Sequence, residues 1–150
     1  MIHFYLLFFA NHCPNKLYTL YLDADNFQTV AQRLYVSPTT SSSVVRMAIA
    51  TQLQQAARNA LLKSCSYIDV SELEAEADMA FQALSTLLGD AEYFFDRTNN
   101  PGLLDASVFS YTYPILDEKM GWKQDGLGRI LKRYDNLVKH RERLVKFFVK

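Results

Sequence analysis

A chain of 150 residues, 49% of them hydrophobic, is long enough for one domain with a real core, and five Gly and four Pro leave little room for a turn-rich β fold. Long helical periods dominate, so the expected class is an all-α, single-domain helical bundle. The formal net charge is zero, which argues against a nucleic-acid partner. Yet residues 1–118 hold six Lys/Arg against thirteen Asp/Glu, and residues 119–150 hold ten against three.

From the start of the chain, Met1–Ala10 (MIHFYLLFFA) is an apolar run too short to span a bilayer as a helix, which needs about 20 residues. No Lys or Arg precedes it and no small-x-small cleavage pattern follows, so it does not read as a secretory leader. His3 and His12-Cys13-Pro14 lack the further ligands that a metal site needs, so no metal and no cofactor are expected. Cys13 and Cys65 form no CxxC pair and no Asn-x-Ser/Thr acceptor occurs, which points to a reducing, intracellular compartment. Residues 1–16 are set apart as an atypical N-terminal segment, leaving 17–150 as the helical domain.

Leu17 to Val36 reads as a helix with Leu20, Ala24, Phe27, Val30, Ala31 and Leu34 on one face. Asp23, Asp25 and Asn26 lack the Gly turn and distal Glu of a calcium loop, and are read as a solvated face or a local break. Ser37–Ser43 is a polar linker that supplies the next helix cap. Val44 to Lys63 is the second helix, with Val45, Ala48, Ile49, Leu53, Ala56, Ala60 and Leu61 facing inward. Ser71-Glu72-Leu73-Glu74 reads as a capping box for a third helix running to Gly89. Its stripe is Leu73, Ala77, Ala80, Leu84, Leu87 and Leu88, and Glu72, Glu76 and Asp78 point outward. Glu72 to Asp78 alternate as E-x-E-x-E-x-D, which rotates the acids around the helix and leaves no catalytic pair facing one cleft.

Ala91 to Asp117 is the segment whose order says most. Tyr93, Phe94 and Phe95 are expected to pin the loop to a core, each buried ring stabilising by roughly 1.5–3 kcal/mol. Arg97–Asn100 turn the chain, Pro101-Gly102 punctuate it, and an apolar helix opens at Leu103. With Gly102 as N-cap, Asp105 falls at the third helical position, where its carboxylate reaches back to the cap amide. Pro114 is expected to kink or end this helix near Tyr113. Ser107, Ser110 and Tyr111 are read as packing residues, with no His in the same region to act as base.

The order Leu88-Gly89, then Tyr93-Phe94-Phe95, then Leu104-Asp105-Ala106-Ser107-Val108-Phe109 resembles the helical domain of glutathione-transferase-like proteins. It is closer still to the metaxins and their fungal counterparts in the mitochondrial sorting and assembly machinery. That family usually places Ser or Thr where Gly102 stands. The resemblance implies a helical bundle like the C-terminal half of a glutathione transferase. It further implies a non-enzymatic role on the cytosolic face of the mitochondrial outer membrane, assisting assembly of β-barrel precursors. The partners it implies are the outer-membrane barrel-assembly subunit, a second metaxin-like subunit and β-barrel precursors, with peripheral membrane contact. The rival class is a glutathione-dependent enzyme fragment, which would need a separate thioredoxin-like domain.

Asp125 to Phe148 is the clearest amphipathic segment. Leu127, Ile130, Leu131, Tyr134, Leu137, Val138, Leu144, Val145 and Phe148 share one side. Arg129, Lys132, Lys139, Arg143, Lys146 and Lys150 form a basic stripe opposite, read as a solvated face or a contact for an anionic lipid surface or acidic partner. Arg141 falls in the apolar arc and is expected to reach its edge or pair with a carboxylate.

Overall fold

The computed structural model describes residues 14–63, 66–95 and 100–148. His3, His12, Cys13, Cys65, Arg97 and Lys150, named above, therefore lie outside the described residues. Every regular element described is helical, which is the all-α class expected. Contacts group the described residues into two units: 14–63, 66–73 and 118–125 in one, and 74–95, 100–117 and 126–148 in the other.

In the first unit, α1 (Pro14–Leu17) widens into a π-helical turn, Tyr18–Leu22, and α2 (Ala24–Asn26) widens into a π-helical segment, Phe27–Val36. The expected helix from Leu17 to Val36 is thus broken at Asp23. That residue sits at an extended φ of −69° and ψ of 123°, and its carboxylate accepts the Asn26 amide at 2.9 Å. The Asp23 and Ser37 amides reach back five residues, to Tyr18 O at 3.0 Å and Gln32 O at 2.8 Å. A turn closed by i→i+5 bonds holds more than 3.6 residues. Buried positions then fall at Phe27, Val30, Ala31 and Val36, while Leu34, expected in the core, is 40% exposed.

Asn26, read from sequence as part of a solvated face or local break, is fully buried. Its Oδ1 accepts the amides of Lys123 (2.8 Å) and Gln124 (3.0 Å), and its Nδ2 donates to Gln124 O (3.0 Å). One side chain therefore satisfies three backbone groups of residues 123–124. Leu20, Phe27, Val30 and Ala31 form the local core, with Tyr21, Ala50, Met120 and Trp122 against it.

Helix α3 (Ser43–Leu61) is capped by Ser42, within the expected linker. Its buried residues are Ala57 and Leu61, whereas Val45, Ala48, Ala56 and Ala60 are exposed. The inward stripe is therefore rotated by about one residue from the expected one. Helix α4 (Val70–Leu88) starts one residue before the predicted box, because Asp69 takes the capping role. The Asp69 Oδ1 accepts both the amide (2.8 Å) and the hydroxyl (2.7 Å) of Ser71. Those bonds hold the Asp69 carboxyl below its ordinary range, the hydroxyl contributing most. Gly89 ends the helix at φ +56°, the left-handed cap that glycine adopts at least cost.

In the second unit, α5 spans Leu103–Ile115, α6 Gly126–Leu131 and α7 Asp135–Phe148. Phe81 on α4, absent from the expected stripe, is among the most buried side chains, and its ring meets those of Tyr111 (6.1 Å) and Tyr134 (6.4 Å). Leu87, placed in that stripe, is exposed. Leu84, Leu88, Phe94, Val108, Ile115, Leu131 and Leu137 complete the core. Pro114 sits at the penultimate position of α5, so the helix ends where proline removes a ladder bond.

The segment expected as one amphipathic helix from Asp125 to Phe148 is two. A turn at Lys132–Tyr134 separates α6 from α7, held by bonds to α4. The Tyr134 hydroxyl donates to Asp78 Oδ1 at 2.8 Å, and Asn136 Nδ2 donates to Ser85 O (2.9 Å) and Gly89 O (3.0 Å). Asn136 thus satisfies carbonyls at the open C-terminal end of α4.

Candidate functional site

The centre of the second unit is Asp105. Gly102 is extended (φ −100°, ψ −170°) and donates its amide to Asp105 Oδ2 at 2.7 Å, the reach-back expected from the sequence. The other oxygen, Oδ1, accepts the Phe94 amide at 2.9 Å and contacts His140 Nε2 at 2.7 Å. Asp105 and His140 are both fully buried. A carboxylate that accepts two amides is an acceptor toward the ring as well, so Nε2 carries the proton and donates. Three elements meet on one carboxylate: the turn after α4, the start of α5 and the middle of α7.

Burial pushes the His140 imidazole below its ordinary value, outweighing the bond to Asp105 and that residue's charge, which pull upward. The Arg143 guanidinium adds to the downward push. In the neutral ring Nδ1 is a lone-pair acceptor, and it has no partner among the described residues. Phe94 packs edge-on against the imidazole at 5.2 Å and Tyr93 at 6.5 Å. Ser107 and Ser110 bond carbonyls of their own helix, Leu103 O at 2.9 Å and Ser107 O at 2.8 Å. The pair therefore has the composition of a general-base dyad and the surroundings of a structural bolt. The sequence reading that no histidine lies near α5 is corrected here: His140 reaches it from 35 residues away. The available signal was its spacing, since Leu137, His140 and Leu144 recur on one helical face and all are buried.

The aromatic anchor divides among its three residues. Phe94 is buried, Tyr93 is half-buried, and Phe95, expected in the core, is 54% exposed at φ +56°. Consecutive side chains in a turn diverge, so one core accepts only part of the triplet. Leu104 packs on the core rim.

The basic stripe also divides. Arg129 lies on α6 and Lys132 in the turn after it, while Lys139, Arg143 and Lys146 share one face of α7 at i, i+4, i+7. Arg129, Lys132, Lys139 and Lys146 are exposed. Arg143 is half-buried and donates through Nη2 to Glu92 O at 2.8 Å, which makes it a clasp on the turn after α4. Arg141, expected at a carboxylate or the surface edge, instead donates to Tyr113 O (3.2 Å) and lies over the Tyr113 ring at 5.2 Å. Asp78, expected as a solvated acid, is bound by Tyr134 and pairs with Arg133 at 3.4 Å. Among the described residues no group of three or more His, Cys, Asp or Glu is placed to hold a metal ion, and no helix is long and apolar enough to cross a membrane.

The family model of the glutathione S-transferase C-terminal domain matches residues 77–144, a window that holds the Asp105–His140 pair and the core around Phe81. Over 129 residues, 86% of its length, the chain is 30% identical to a Metaxin-1 homolog of Caenorhabditis briggsae, and it spans 38% of that relative's length. The chain is a metaxin-like protein whose described elements are all helical, with the fold of a glutathione S-transferase C-terminal domain.

Proposed function

We propose that this chain is a non-enzymatic component of the mitochondrial outer-membrane sorting and assembly machinery. It would support insertion and assembly of β-barrel precursors through protein–protein contacts on the cytosolic face of that membrane. The observation that carries this reading is the likeness to a Metaxin-1 homolog over 86% of the chain. The chemistry of the core agrees with it, since the Asp105–His140 pair is enclosed by Phe94 and spent on holding three elements together. The expected partners are the barrel-forming subunit and a second metaxin-like subunit.

Affinity purification of the tagged chain from gently solubilised mitochondria tests the proposal. Recovery of the barrel-assembly subunit, reduced by Arg129→Glu with Lys132→Glu, supports it. A chain recovered alone and monomeric from the soluble fraction overturns it, and so does glutathione conjugation by the purified chain.

A further inference from the structure

The last turn of α7 ends in two aromatic rings held at the surface. Phe147 is 53% exposed and Phe148 50% exposed, and their rings meet edge to face at 4.9 Å. Phe148 rests on Phe109 of α5 (5.8 Å), which in turn contacts Tyr113 (5.2 Å). The rings are therefore backed by packed neighbours, and the last described turn of α7 leaves about half of each ring open to solvent.

The charges beside these rings have one dominant sign. Lys146 immediately precedes them, and Lys139 lies two turns back on the same face; both are exposed. Glu142 is the one carboxylate in residues 139–148, and residues 106–116, which include Phe109 and Tyr113, contain no charged residue at all. We infer that the C-terminal end of α7 docks on an anionic lipid bilayer, with Phe147 and Phe148 entering the headgroup region and Lys139 and Lys146 facing the lipid phosphates.

An apolar wedge flanked by lysines is the arrangement that binds a membrane interface, where the rings leave water and the ammonium groups stay in it. A bilayer imposes no shape on its ligand, so two half-exposed rings beside lysines suffice to engage it. An acidic protein would satisfy the lysines but would need its own pocket for the rings. The inference does not depend on the partners proposed above, because it concerns the purified chain and lipid alone.

The test is flotation of the purified chain with phosphatidylcholine vesicles, with and without about one-third phosphatidylglycerol. Binding to the anionic vesicles is expected at low salt, weakening as salt rises. Each lysine contributes about fivefold, so K139Q/K146Q is expected to bind roughly 25-fold more weakly. Loss of the two rings in F147S/F148S is expected to weaken binding tenfold or more. Because the serine variant removes packing on Phe109, its helicity is checked by circular dichroism. A F147W variant supplies a second readout, a blue-shifted emission quenched by brominated lipid. No flotation, equal binding by the K139Q/K146Q protein, or salt-sensitive binding to poly-glutamate without vesicle binding each overturns the inference.

Discussion

His140 donates its Nε2–H to Asp105 Oδ1 at 2.7 Å, and neither side chain is exposed to solvent. The same carboxylate oxygen accepts the Phe94 amide, and the other holds the Gly102 cap. Removing Asp105 therefore strands two backbone donors and the imidazole together. Asp105→Ala is expected to destabilise by about 3–5 kcal/mol, and His140→Leu by about 2–3 kcal/mol, since the carboxylate keeps its two amides. The double variant should fall short of the sum by at least about 1 kcal/mol, as measured by urea denaturation. Additive losses would show that the pair is not coupled.

Acid acts on the same bolt. The folded-state value of His140 lies below its unfolded value of 6.5, because burial disfavours the charged ring. The unfolded chain then binds the proton more readily, so the contribution of the neutral imidazole is fully present above about pH 6.5. It is lost as pH falls from there through the depressed folded value. Urea midpoints are expected to decline over this window in the parent chain and to decline less in His140→Gln. Equal slopes for the two proteins would remove His140 from the pH response.

Neighbouring aromatics should respond in opposite directions. Phe94 is buried in the core, so Phe94→Ala is expected to cost about 3–5 kcal/mol. Phe95 holds an exposed ring at φ +56°, where a β-carbon is crowded. Phe95→Gly is expected to leave stability unchanged or raise it by up to about 1 kcal/mol. Thermal unfolding followed by circular dichroism separates the two, and a large loss in Phe95→Gly would contradict the exposed placement.

Asn26 offers a test in the other unit. Asn26→Ala leaves the Lys123 and Gln124 amides without their acceptor, with an expected cost of about 2–3 kcal/mol. Hydrogen exchange should report loss of protection at those two amides first. Protection retained there would mean that other groups hold the 123–124 backbone.

Features set by neighbours in the chain were legible in the sequence. The all-α class followed from composition and period, and the Gly102–Asp105 reach-back followed from spacing, because both ends of that bond lie within one helical turn. The end of α5 at Pro114 followed for the same reason. The glycine at the end of α4 could be read as a stop because glycine adopts the left-handed φ at least cost.

Tertiary structure decided the rest. Residues 132–134 contain neither Gly nor Pro, and nothing local ends α6 there. The break is fixed by Tyr134 and Asn136 bonding Asp78, Ser85 and Gly89, about fifty residues earlier. Leu34 left the core because the backbone from Phe27 to Val36 abandons the 3.6-residue turn on which the stripe was drawn. His140 joined Asp105 because a buried carboxylate needs every available donor, and only the folded chain brings that donor within 2.7 Å. Local periodicity fixes which residues share a helix face. Which neighbour satisfies each buried polar group depends on contacts that exist only once the helices have packed.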